Sequence, residues 1–146
     1  MTETASIARR VPEDVVTGRN FGLVTDLFEP EAVEHTAFGR TVRGAEAIRE
    51  MLEGYTDAFP DFEARVEDIV ASGDTAAMRV TLSGTHDGDF MGFAPTGNHV
   101  EVANMAFTRV EDGRIAERWT IPDTYGMLEQ LGILPPITDL EPIPNR

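Results

Sequence analysis

Residues 99–122 read HVEVANMAFTRVEDGRIAERWTIP. Two runs of strand-forming residues, His99–Val110 and Arg114–Ile121, flank Glu111-Asp112-Gly113, and an Asp-Gly pair between such runs is a strong hairpin signal. In the first run Val100, Val102 and Ala106 alternate with Ala103, Met105 and Phe107, so both faces are apolar. One face can line a core. The other then needs cover, most simply from a two-fold partner, which predicts a homodimer through the outer sheet face. Upstream, the turn Ser72-Gly73-Asp74 separates two further strands, Phe62–Ala71 and Thr75–Thr85.

The first third of the chain has helical spacing instead. Ile7, Val11 and Val15 mark Thr4–Gly18, which Pro12 should kink, and a short helix over Phe21–Phe28 is closed by Pro30. A third helix runs from about Ala45 to Phe59, between Gly44 and Pro60. After the strands, a last helix over Thr124–Leu131 stops at Gly132. Three helices, a sheet of antiparallel strands and a closing helix predict an α+β fold: a cone-shaped curved sheet wrapped around N-terminal helices, with an internal pocket between the layers. Residues 1–134 read as one domain, and residues 135–146, which hold four prolines, as a tail without regular structure.

Composition narrows the function. The chain of 146 residues is 41% hydrophobic and 26% charged, a globular composition. It has no Cys, hence no disulfide framework, thiol nucleophile or thiolate metal site. No apolar run is long enough to span a bilayer, and MTETASIARR has acid and polar residues where a secretory signal has its apolar centre, so the chain reads as soluble and cytoplasmic. Twelve basic residues, all Arg, stand against 26 acids for a net charge of -14. That balance argues against nucleic acid and anionic membranes as partners. An acid-rich surface without Lys suits a protein of molar salt, where self-repulsion is screened; GC-rich coding also favours Arg over Lys.

Several short motifs occur in one order: Phe59-Pro60-Asp61-Phe62, Gly84-Thr85-His86-Asp87-Gly88, Pro95-Thr96-Gly97, Asp112-Gly113-Arg114-Ile115-Ala116-Glu117-Arg118-Trp119, Asp123 and Gln130-Leu131-Gly132. Together they resemble the SnoaL-like polyketide cyclases, also called ester cyclases, of the nuclear-transport-factor-2-like superfamily, over roughly residues 5–134. The resemblance implies a dimeric α+β cone working without metal or organic cofactor. It also implies intramolecular aldol ring closure of a small hydrophobic carbonyl substrate, with an aspartate as acid/base.

Asp123 matches that aspartate. Counting back by twos gives Ile121 and Trp119, which would put all three on the pocket face and the carboxylate in the apolar setting a base requires. Asp is also a favoured N-cap for a helix starting at Thr124, and a cap bond would weaken the base. His35 could donate to a substrate carbonyl and stabilise an enolate, or lie on the surface. Asn104, an amide in an apolar strand, must be paired or face a ligand. Arg79 could bind a carboxylate or ester oxygen, or form a structural ion pair. Trp119 reads as pocket wall or core. The loop through Phe90, Met91, Phe93 and Pro95 is apolar enough to act as a lid over a hydrophobic substrate, with His86, Phe90 and Phe93 as its substrate contacts.

His86, Asp87 and His99 lack the spacing of a metal site. Neither a Gly-x-Ser-x-Gly elbow nor a dinucleotide fingerprint occurs. Three other readings remain open at this point. A ketosteroid-isomerase-like activity wants a Tyr and a protonated acid as oxyanion donors. An epoxide-hydrolase-like activity wants a second acid beside Arg79 and Asp123. A non-catalytic module would only hold a lipophilic ligand.

Overall fold

The computed structural model describes residues 2–142. Helix α1 (Glu3–Arg10) is capped by Thr2, whose hydroxyl accepts from the Ala5 amide at 3.1 Å. At Val11–Thr17 the chain widens into a π turn that begins next to Pro12, where the sequence predicts a kink. A 3-10 turn, Phe21–Leu23, leads into α2 (Val24–Leu27). Strand β1 (Phe28–Thr36), a second 3-10 turn (Ala37–Gly39) and β2 (Arg40–Arg43) come before α3 (Ala45–Ala58). Then follow β3 (Glu63–Ser72), β4 (Thr75–Thr85), β5 (His99–Glu111), β6 (Arg114–Pro122) and α4 (Thr124–Gln130).

The six strands form one curved, unclosed sheet in the order β2-β1-β6-β5-β4-β3. Strands β3 to β6 pair antiparallel, and the β5–β6 turn places both Asp112 (φ 51°) and Gly113 (φ 79°) in the left-handed region, as an Asp-Gly hairpin requires. The sheet is not wholly antiparallel. β1 runs parallel to β6, pairing Val33 with Glu117 and His35 with Trp119. Neither β1 nor β2 is predicted from the sequence, because β1 is rich in charge and holds Pro30, which would break a central ladder. The ladder accommodates it by a register shift between Phe28 and Val33.

Helices α1 and α3 lie on the concave side of the sheet, α1 against β3 to β5 and α3 against β1. Between them Phe28, Ile48, Phe59, Ile115, Met127 and Leu131 are fully buried. On β5 the two faces separate as the alternation predicts. Val100, Val102 and Ala106 are buried, whereas Met105 and Phe107 are 50% and 54% exposed. The tail contains one 3-10 turn, Ile137–Asp139, where no regular structure is expected, and residues 143–146 lie outside those described. Among the described residues no helix is long and apolar enough to cross a membrane.

Candidate active site

The concave face of the sheet, closed by α3 and the π turn, encloses a chamber of ≈ 60 Å³. Apolar side chains make most of its wall, among them Val16, Leu52, Phe62, Met78 and Val80. Its polar end is built by alternate residues of three adjacent strands: Glu34 and Thr36 from β1, Asn104 from β5, Arg118 and Thr120 from β6.

Glu34 and Arg118 dominate that end. Arg118 Nη1 donates to Glu34 Oε1 at 2.7 Å, with the two side chains 6% and 2% exposed. The guanidinium lies 6.0 Å from the centre of the Phe28 ring. Arg118 Nε and Asn104 Oδ1 are buried without a hydrogen-bond partner, so the polar end is under-satisfied as it stands. Thr120 donates to Thr36 at 3.1 Å. Burial, reinforced by the Glu34 charge, pushes the Tyr55 phenol above its ordinary range and keeps it an O–H donor.

Thr36, Met51 and Tyr55 also line a wider mouth of ≈ 310 Å³, which adds Phe38, Arg40, Asp89, Phe90, Met91 and Thr124. The loop expected to act as a lid contributes Phe90 and Met91 to this mouth. Phe93 is joined to Phe90 by two backbone bonds but is not part of the lining. His86 is buried beneath the loop, against Phe59 and Phe90. Its Nδ1 accepts from the Thr96 amide at 3.2 Å, which makes it an anchor of the loop rather than a substrate contact.

The other expected residues fall elsewhere. Asp123 is exposed and caps α4, Oδ1 accepting from the Gly126 amide at 2.9 Å. Gly126 leaves room for this cap, since a Cβ on residue 126 would meet the Asp123 carboxylate in its capping position. Trp119 and Ile121, expected on the pocket face with Asp123, are 39% and 68% exposed on the convex face. The cause is a bulge. Val110 pairs with Ile115 but Arg109 pairs with Glu117, so Ala116 is the extra residue, and beyond it Arg118, Thr120 and Pro122 turn inward.

His35 follows the inward Glu34 and therefore points out. It stacks on Trp119 at 5.5 Å and bonds through Nε2 to Glu117 at 2.6 Å. That bond, joined by Arg109, holds the Glu117 carboxyl below the usual range. Arg79 is exposed on the outer face, opposite Asp68. Of the residues singled out in the sequence, Asn104 lines the chamber and Phe90 its mouth. Glu34 and Arg118 were missed as site residues, because nothing local in the sequence marks these two charges as buried. Among the described residues no group of three or more His, Asp or Glu is placed to hold a metal.

The family model for SnoaL-like polyketide cyclases matches residues 6–131. The chain belongs to this family. It is 30% identical to the aklanonic acid methyl ester cyclase AcmA of Streptomyces galilaeus over 135 residues, covering 90% of this chain and 92% of that one. It is 29% identical to the nogalonic acid methyl ester cyclase of Streptomyces nogalater over 109 residues, covering 73% and 78%. Among solved structures, IdmH of Streptomyces antibioticus, a candidate polyketide cyclase, superposes with a TM-score of 0.79 at 34% identity, covering 90% of this chain and 99% of that one. AclR of Streptomyces galilaeus, a candidate hydroxylase, gives 0.80 at 28% identity, covering 92% and 84%. The SnoaL-like fold is thus shared by proteins described with two different chemistries, and the chamber has to decide between them.

Proposed function

We propose that this SnoaL-like protein closes a ring by intramolecular aldol addition, with no cofactor, on a hydrophobic polyketide methyl ester of the class named for its cyclase relatives. The observation that carries the reading is the chamber: an apolar enclosure whose one lining carboxylate, Glu34, is buried beside a guanidinium with an unpartnered N–H. Glu34 removes the proton from a carbon between two carbonyls. The enolate oxygen accepts hydrogen bonds from Arg118 and the Tyr55 hydroxyl, donors fixed in place before charge develops. The enolate carbon then attacks a third carbonyl further along the same chain, forming the C–C bond as the C=O π bond opens, and the resulting alkoxide takes the proton back from Glu34. Product and substrate are isomers. Folding one chain so that its two carbons meet supplies much of the rate. Asn104 steadies the carbonyl being attacked.

This assigns the base to Glu34 and leaves Asp123 as a helix cap. An isomerase of the ketosteroid type needs a second acid in the chamber, and among the described residues Glu34 is alone there. The test is direct. Incubation with aklanonic acid methyl ester, without added cofactor, should yield a product of unchanged mass and altered retention. Saturable binding without conversion would support the non-catalytic module instead.

Two further readings concern the molecule as a whole. The convex face exposes Met105, Phe107, Trp119 and Ile121 side by side on β5 and β6, and a two-fold partner would cover them. Light scattering at micromolar concentration in high salt should give a dimer, and Ile121→Asp should shift it to monomer. A wild-type monomer contradicts the interface.

The charge balance supports salt adaptation. Among the described residues the ion pairs, such as Arg9–Glu13 and Arg10–Asp14, engage a minority of the acids and leave most of the 26 unpaired. Melting temperature should therefore climb steeply from dilute buffer to molar KCl as repulsion is screened. A flat profile would refute salt adaptation.

A further inference from the structure

The mouth of the chamber carries two features that ring closure does not use. The first is backbone strain. Among the described residues, four other than glycine have positive φ: Arg19, Phe38, Met91 and Asp112. Asp112 belongs to the β5–β6 turn, and Arg19 is held by its guanidinium, which donates to the carbonyls of Phe62 and Pro60 at 2.8 and 2.7 Å. Phe38 (φ 63°) and Met91 (φ 52°) have no such side-chain anchor, and both line the mouth, 68% and 49% exposed. Large side chains in this region are disfavoured, and such conformations gather at ligand sites.

The second feature is charge. Arg9, Arg10, Arg49, Arg65, Arg109 and Arg118 all form ion pairs. Arg19, Arg40, Arg43, Arg79 and Arg114 form none among the described residues, although the chain holds more than twice as many acids as arginines, and of these five Arg40 alone lines the mouth, two residues after Phe38. Asp89 is the acid of the same lining. Size points the same way. The chamber, ≈ 60 Å³, is the smaller space and the mouth, ≈ 310 Å³, the larger. A substrate that reaches Glu34 and is longer than the chamber extends into this mouth, which shares Thr36, Met51 and Tyr55 with it.

We propose that Phe38 and Arg40 form a specificity subsite for the flat, negatively charged part of the substrate: an aromatic ring bearing an ionised carboxylate or phenol. The ring lies on Phe38, opposite the loop residues Phe90 and Met91. The anionic oxygen meets the Arg40 guanidinium and is turned away from Asp89. The substrate then enters with its neutral ester end toward Glu34, which a free carboxylate there would oppose. The proposal rests on the cyclase reading only for the direction of entry.

The probes are fluorescent: anthracene-2-carboxylate, its methyl ester, and 1,2-dihydroxyanthraquinone at a pH where one hydroxyl is ionised. Wild type should bind the carboxylate about fivefold more tightly than the ester at moderate salt, the size of an exposed charge pair, and the margin should shrink in molar KCl. Arg40→Gln should bring the carboxylate down to the ester's affinity, and Arg40→Lys should keep the margin. Phe38→Ala should weaken both equally. If the phenolate alone shows the Arg40 effect, the natural anion is a phenol; if the carboxylate alone does, it is an acid. A margin that survives Arg40→Gln, or no binding of any probe by wild type, overturns the subsite. Arg40 is exposed and has no ion pair to lose, so the variant should melt as wild type does. The cyclase reading is judged separately, by proton exchange at Glu34, so the two can fail independently.

Discussion

Glu34→Gln should abolish exchange of an acidic C–H proton into D₂O on a bound β-keto ester, while Asp123→Asn should leave it near the wild-type rate. A general base typically contributes about 10²–10⁴-fold, and the amide of Gln has no basic site at neutral pH. Gln keeps an oxygen for Arg118 Nη1 and nearly the same volume, so the chamber keeps its shape. The guanidinium does lose its counter-charge, and the measurement belongs in high salt, with folding checked by circular dichroism. Asn at position 123 is itself a good cap and can still accept from the Gly126 amide. If Asp123→Asn loses exchange and Glu34→Gln keeps it, the base sits at the start of α4 and the chamber has been misassigned.

Arg118→Ala should be the most destabilising single change in the site. It leaves a carboxylate 2% exposed with no partner, and breaking a buried pair this way costs about 3–5 kcal/mol, or about 10 °C in melting temperature for a domain of this size. It also removes the packing of the guanidinium against Phe28. Lost volume and lost charge are separated by the double variant Glu34→Leu with Arg118→Met. Replacing a buried pair by apolar groups of similar size is often neutral or stabilising, so this variant should recover most of the melting temperature and none of the activity. A double variant as unstable as Arg118→Ala would mean that the pair holds the fold through shape.

The contrast between the expected and observed sites has a physical origin. Strands β3 to β6 were legible to within one or two residues, because their alternation and their Gly-Asp and Asp-Gly turns are local signals. β1 was not, since a charged segment with Pro30 becomes a strand only because β6 and β2 offer ladders on both sides. The facing of individual side chains was legible where a strand is regular: Asn104 lines the chamber as an unexplained amide in an apolar strand should. It failed on β6, where the single extra residue Ala116 reverses everything after it. Trp119 thereby moved to the convex face, where it stacks on His35 of β1. The Glu34–Arg118 pair joins residues 84 apart in sequence on neighbouring parallel strands, and no local pattern announces such a pairing.

Where a carbonyl substrate sits decides whether Glu34 is the base. A crystal structure with a non-reacting β-keto ester analogue bound, or with whatever occupies the protein on purification, measures this most directly. The analogue's acidic carbon should lie within hydrogen-bond reach of Glu34, about 3 Å from a carboxylate oxygen, with its enolisable oxygen toward Arg118 and Tyr55. An analogue seated against Asp123, in the groove beside Phe38 and Ile121, with the chamber empty, would contradict it.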